Sequence, residues 1–148
     1  GDKQYFKQWQ KTNPYFGKKF SVLGDSISTL EGCHPQGYKV FFKDEICKRT
    51  GVVKETDTWW GKVICFFGGE LLVNNSWSGS RVTMVPENSE LFPSACSDER
   101  TGFLHWDEEV PDVILVYLGT NDWGFGALLS RRDKRKKSCY ARKNFKKL

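Results

Sequence analysis

The chain lacks any run of about 18 consecutive apolar residues, the length a membrane-crossing helix needs. It contains no Cys-x-x-Cys, and its cysteines are odd in number: Cys33, Cys47, Cys65, Cys96 and Cys139. That pattern suits neither a full disulfide framework nor a four-ligand structural zinc site. The five read as free thiols of a reducing compartment, which favours the cytoplasm. Histidine is scarce too. His34 and His105 are too few for a histidine-rich metal site, and neither metal nor cofactor is expected. The N-terminus, Gly1-Asp2-Lys3, has no initiator Met and no apolar stretch of signal-peptide type. No signal peptide is therefore expected, and an earlier start is left open.

What is present is one domain's worth of sequence. The chain has 148 residues, 39% hydrophobic and 28% charged, ordinary values for a globular domain. The net charge of +5 is unevenly spread. Residues 131–148 hold ten Lys/Arg against a single Asp, whereas the rest of the chain is mildly acidic. The body and the basic end are therefore treated separately.

Along the body, residues 1–17 are polar and aromatic and carry no assignable element. Lys18 to Asp25 reads as a short buried strand that stops at Gly24. Residues 26–56 read as a loop with local elements, including an extended piece at Tyr38–Phe42. Residues 57–69 read as a helix. Asp57 or Thr58 would cap it, Trp59, Trp60, Val63, Ile64 and Phe67 would form its apolar face, and Gly68-Gly69 would end it. Leu71–Val73 gives a second strand. Residues 78–108, with Pro86 and Pro93, are loop-rich with one helical turn. Asp112 to Leu118 is a third strand, apolar nearly throughout, so both its faces are expected to be covered.

Apolar strands joined by helical crossovers predict a parallel α/β sheet. In such sheets ligands bind beyond the carboxyl ends of the strands. Each strand here ends in a polar, glycine-containing segment: Gly24-Asp25-Ser26, Asn74 to Gly79, and Gly119 to Asp122. The three are expected to converge on one crevice. A serine directly after a strand can present its hydroxyl there. The Ser26 N–H, the Gly79 N–H and the Asn121 side-chain amide are three donors suited to an oxyanion hole. Singly, each residue fits an ordinary turn or loop cap. Their order, one group after each strand, is what gives them weight. Asp25 and Asp122 read as holding turn geometry.

These blocks resemble those of the SGNH hydrolases, the GDSL esterase/lipase family. The matches are Val22-Leu23-Gly24-Asp25-Ser26-Ile27, Asn74-Asn75-Ser76-Trp77-Ser78-Gly79 and Leu118-Gly119-Thr120-Asn121-Asp122, covering about residues 18–126. The resemblance implies a flavodoxin-like three-layer α/β/α sandwich with a parallel sheet. It implies Ser26 as nucleophile, with Ser26, Gly79 and Asn121 forming the oxyanion hole. Its substrates would be small acyl esters of sugars or lipids, cleaved without a metal.

One family block is missing: no Asp-x-x-His, which supplies the general base, occurs in the chain. The base is left unassigned, with His34 in Glu31-Gly32-Cys33-His34 as the local echo. His105, near Asp107, reads as a surface or capping residue. The expected organisation is a partial hydrolase domain over 1–127, incomplete on its C-terminal side, and a basic tail over 128–148 that is no native element. An unpaired third strand would then promote self-association. Two other readings stand beside the enzyme. One is a binding module that keeps the crevice without catalysis. The other is a basic tail that binds nucleic acid or an anionic membrane surface, with Tyr140 and Phe145 stacking; a solvated tail is preferred to it. Trp77 and Trp123 are candidates to line the pocket, although packing is the default for them and for Trp59 and Trp60.

Overall fold

The computed structural model describes residues 2–83 and 94–124. A parallel sheet is formed by β1 (Lys19–Gly24), β2 (Glu70–Asn74) and β3 (Val113–Tyr117), in the order β2-β1-β3. The helices around it are α1 (Asp2–Thr12), α2 (Asp44–Thr50), α3 (Trp59–Phe67), α4 (Asp98–Gly102) and α5 (Thr120–Gly124), with 3₁₀ turns at Ser26–Ser28 and Glu55–Asp57. The basic segment 128–148, with Cys139, Tyr140 and Phe145, lies outside the described residues, as do Pro86 and Pro93.

Strand β1 is central because both its faces are covered. Phe20 and Val22 pack with Leu30 and with Trp60 and Ile64 of α3. On the other face Leu23 packs with Ala95 and Leu104, and the Ser21 hydroxyl donates to the Leu104 carbonyl at 2.7 Å. Alternating side chains of one strand thus serve two layers, which gives the α/β/α arrangement.

Helix α3 forms where the sequence places it. The Thr58 side chain accepts from the Gly61 N–H, and Gly68 closes the helix in the left-handed conformation. Its two tryptophans grip the first motif turn. Trp60, fully buried, donates to the Ser28 carbonyl, and Trp59 donates to the Ser28 hydroxyl, each at 3.0 Å.

Three expectations are corrected. Residues 2–12 are helical: α1 docks on the end of α3, where Gln10 donates to the Phe66 carbonyl and to the Cys65 carbonyl, which also accepts from the Gly68 N–H. Phe6 and Trp9 pack against Phe66 with tilted rings, centroids at 5.5 and 5.0 Å. Tyr38–Phe42 is not a strand. It is tied by side-chain and irregular backbone bonds, Phe41 N–H to Thr29 and Ser78 N–H to the Lys39 carbonyl. Finally, β3 is not covered on both faces. Val113 and Leu115 pack toward the core, but Ile114 and Val116 are 48% and 50% exposed. Among the described residues β3 is an edge strand.

Two outcomes follow. Trp60→Ala, which removes a fully buried ring and the link to Ser28, should cost about 3–5 kcal/mol in urea unfolding; a loss near zero would contradict this packing. Val116→Lys should reduce self-association in sedimentation velocity, because a charge on an exposed strand disfavours docking of another chain. Unchanged association would show that β3 is not the sticky surface.

Candidate active site

The first motif begins where β1 runs out of strand. Asp25 caps the 3₁₀ turn by accepting from the Ile27 N–H at 3.1 Å. The Ser26 carbonyl is held by the N–H and hydroxyl of Thr29. Ser26 itself is half-buried, and its hydroxyl makes no hydrogen bond among the described residues. Gly24 must be glycine for lack of space: a Cβ there would overlap the Ser28 side chain.

The second motif folds over the same strand end. Asn75 N–H donates to Val22 O at 2.8 Å and Trp77 N–H to Gly24 O at 3.1 Å, while the Ser80 hydroxyl reaches Gly24 O at 3.2 Å. Gly79 takes φ +88°, the left-handed region that lets the chain reverse between Trp77 and Ser80. The third motif holds the second in place. The Asn121 amide donates to Ser80 O at 2.9 Å. The buried Asp122 carboxylate accepts from Val82 N–H, Thr83 N–H and the Thr83 hydroxyl at 2.8–3.0 Å. Asn121 and Asp122 sit on the first turn of α5 rather than in a loop.

The three motifs therefore meet around one strand end, as read from the sequence. Among the described residues neither the Ser26 N–H nor the Gly79 N–H has an acceptor. Asn121 has a second amide hydrogen beyond the one given to Ser80. Asp25 and Asp122 hold backbone. Burial raises the Asp25 pKa, and the nearby Asp122 charge adds to the effect.

His34 is elsewhere engaged. Its Nε2 accepts from Leu30 N–H at 2.8 Å, and its Nδ1 donates to the Asn74 carbonyl at 3.1 Å. Both nitrogens are thus spoken for in the neutral tautomer with the proton on Nδ1, and neither is open to take a proton from Ser26. Burial holds its pKa below the usual 6.5. His105 is exposed, with Nδ1 on the Asp107 carbonyl. Cys33, beside His34, is no nucleophile either, since burial pushes its thiol up to about 11. Trp77 packs against Tyr38 with tilted rings, centroids 4.5 Å apart, whereas Trp123 is 86% exposed rather than packed. Among the described residues no group of three His, Cys, Asp or Glu side chains is placed to hold a metal ion, and no helix is long and apolar enough to cross a membrane.

Arg100 is the site residue that the sequence did not reveal. It is 1% exposed. It donates from Nη2 to Gly24 O at 3.0 Å and from Nε to Asn75 O at 2.9 Å. Its own carbonyl accepts from the Asn75 side chain at 2.6 Å. In Ser97-Asp98-Glu99-Arg100 nothing marks it apart from a surface charge on a short helix. Burial lowers its pKa to about 10, so it remains a cation at neutral pH.

The model of the GDSL-like lipase/acylhydrolase family matches residues 18–144. The chain belongs to that family. Two solved structures are similar to this GDSL-like chain. One is a protein assigned as a GDSL-like lipase from Bacteroides ovatus ATCC 8483, with TM-score 0.64 and 28% identity over 84% of this chain. The other, assigned likewise, is from Bacteroides uniformis ATCC 8492, with TM-score 0.63 and 31% identity over 88%. The GDSL-like chain spans 60% and 62% of those two chains. No curated protein matches it.

The His34 geometry has a pH signature. The unfolded chain protonates this ring below 6.5, and the folded state resists doing so. The unfolded state then binds more protons as pH falls. This part of the stability is therefore full above about pH 6.5 and is lost as the pH drops toward the lowered folded value. Between about pH 7.5 and pH 5.5 the wild type should lose more stability than His34→Gln. Superimposable stability profiles would contradict the buried neutral assignment.

Proposed function

We propose that the crevice is the acyl-transfer site of a serine ester hydrolase, with Ser26 as nucleophile and the Ser26 N–H, Gly79 N–H and Asn121 amide as the oxyanion hole. The substrate class is a small acyl ester of a sugar or lipid. One observation supports this reading: among the described residues two backbone N–H groups, from motif turns joined at one strand end, have no acceptor, and the Ser26 hydroxyl makes no hydrogen bond. Buried or half-buried backbone donors are nearly always paired, so two left open at one strand end suit a ligand that brings its own oxygen. The Tyr38–Trp77 pair adjoins them through the Trp77 N–H bond to Gly24 O and would offer an apolar wall.

In the proposed step, Ser26 Oγ bonds to the acyl carbon while the carbonyl π pair moves onto oxygen as the oxyanion. Collapse expels the alkoxide, and water then releases the acyl group. Each hole donor of this kind is worth about 2.7–4 kcal/mol in the transition state. The Ser26 proton must leave to a base; both nitrogens of His34 are engaged, and no described hydrogen bond joins His105, whose Nδ1 lies on the Asp107 carbonyl, to Ser26. With nucleophile and hole but no internal histidine base, turnover by this chain would be slow by several orders of magnitude. The rival reading, a crevice that binds without catalysis, rests on the same two histidines.

A fluorophosphonate probe should label wild-type protein at Ser26 and leave Ser26→Ala unlabelled. Hydrolysis of a short-chain p-nitrophenyl ester should be low and should rise with added imidazole, which accepts the proton that His34 does not. Labelling equal in Ser26→Ala, or an imidazole response of the same size in that variant, would refute the assignment.

A further inference from the structure

Acyl transfer by Ser26 does not by itself call for a buried guanidinium behind Gly24, yet Arg100 is there with 1% of its surface exposed. Its Nη2 donates to Gly24 O at 3.0 Å and lies 3.4 Å from the Ser80 hydroxyl, and its Nε donates to Asn75 O at 2.9 Å. Gly24 lies two residues before Ser26, and Ser80 directly follows Gly79. One planar side chain therefore binds the backbone of both turns that supply the open N–H groups. Arg100 is itself fixed from two sides. The Ser97 hydroxyl accepts from its N–H, and the Asn75 amide donates to its carbonyl.

Its charge is the unusual part. Buried cations are as a rule paired with carboxylates, because desolvation otherwise goes uncompensated. Among the described residues the ion pairs are Lys18–Asp112, Lys19–Glu70 and Lys48–Glu45, and none involves Arg100. Nη1 is buried and has no hydrogen-bond partner. Among the described residues its side-chain hydrogen bonds go to carbonyl and hydroxyl oxygens, and no carboxylate lies in ion-pair contact with it. A neutral amide side chain could serve those acceptors at lower desolvation cost. Where a protein keeps the costlier group, a functional reason is the first to test.

We propose that Arg100 is a positioning residue for the acyl-transfer step: it locks the Ser26 and Gly79 turns together and keeps a positive charge behind their N–H groups, favouring the oxyanion formed between them. The inference rests on the acyl-transfer reading. It assigns Arg100 no contact with substrate. Its effect runs through the placement of two backbone donors and through the field at the developing negative charge.

The test is the second-order rate of fluorophosphonate labelling at Ser26, whose phosphoryl oxygen would occupy the oxyanion position. It is read for wild type, Arg100→Gln, Arg100→Lys and Ile64→Ala. The last variant weakens the core on the α3 face without touching these turns. All are assayed well below their unfolding midpoints. Arg100→Gln should label about ten- to a hundredfold more slowly, short of the ~10²–10³ for loss of a direct hole donor. Arg100→Lys, which keeps charge without the fork, should fall between Arg100→Gln and wild type. Ile64→Ala should match wild type. Arg100→Gln labelling at the wild-type rate overturns the inference alone. So does slowing of Ile64→Ala to the same extent, which would make the effect one of stability. If Arg100→Gln does not fold, Arg100→Lys labelling at the wild-type rate overturns the need for the fork. Folded wild-type protein that takes no label overturns the acyl-transfer reading, and this inference with it.

Discussion

The carbonyl oxygen of Gly24 is where the structure is knotted. Trp77 N–H, the Ser80 hydroxyl and Arg100 Nη2 all point at it, at 3.0–3.2 Å. A carbonyl has two lone pairs, so three donors share them. Each donor comes from a different part of the chain: the start and the end of the second motif turn, and α4. The atom lies at the last residue of the central strand, with Ser26 two residues on. Without this focus the motifs would be separate loops on the rim of a sheet. With it, the 3₁₀ turn, the Gly79 turn and α4 form one unit, and α5 joins through the Asn121 bond to Ser80 O. The absence of room for a Cβ at Gly24 is the steric expression of the same crowding.

Around this point buried charges of both signs are managed differently. Asp122 spends its carboxylate on three donors of the 82–83 segment, which welds α5 to the second motif. Asp25 caps the nucleophile turn with one oxygen, and its other oxygen is buried without a partner. Its raised pKa follows from that burial. Arg100 is opposite in sign: Nη2 and Nε donate to the Gly24 and Asn75 carbonyls, while Nη1 is buried without a partner. Because such groups are costly inside a protein, each fixes the arrangement that satisfies it and penalises alternatives.

Much of this was legible in the sequence because it is local. Short apolar runs stopping at Gly24, at Asn74-Asn75 and at Gly119 marked β1, β2 and β3. The Thr58 cap and Gly68 marked the ends of α3, and each motif sits at a strand end where turn chemistry is written in consecutive residues. What was not legible depends on partners far along the chain. Helix α1 has a polar sequence, and its aromatic ridge gains meaning only against Phe66 and against the α3 carbonyls that Gln10 satisfies. Arg100 is indistinguishable in sequence from an exposed arginine, since its burial is decided by Gly24 and Asn75. In sequence, His34 is a local echo of the missing base. A histidine shortly after a serine suggests a base, but its nitrogens belong to Leu30 and Asn74, which tie the 3₁₀ turn region to the end of β2. A continuous apolar strand signals two covered faces when it lies inside a sheet, and among the described residues β3 lies at an edge, with Ile114 and Val116 half exposed.

The central claim is that three sequence-distant turns build one oxyanion pocket around Ser26. A crystal structure of the protein after reaction with a small alkyl fluorophosphonate tests it most directly. The account predicts phosphorus bonded to Ser26 Oγ and the phosphoryl oxygen within hydrogen-bond distance of the Ser26 N–H, the Gly79 N–H and the Asn121 amide. A phosphoryl oxygen turned to solvent, with Gly79 and Asn121 out of reach, would contradict it.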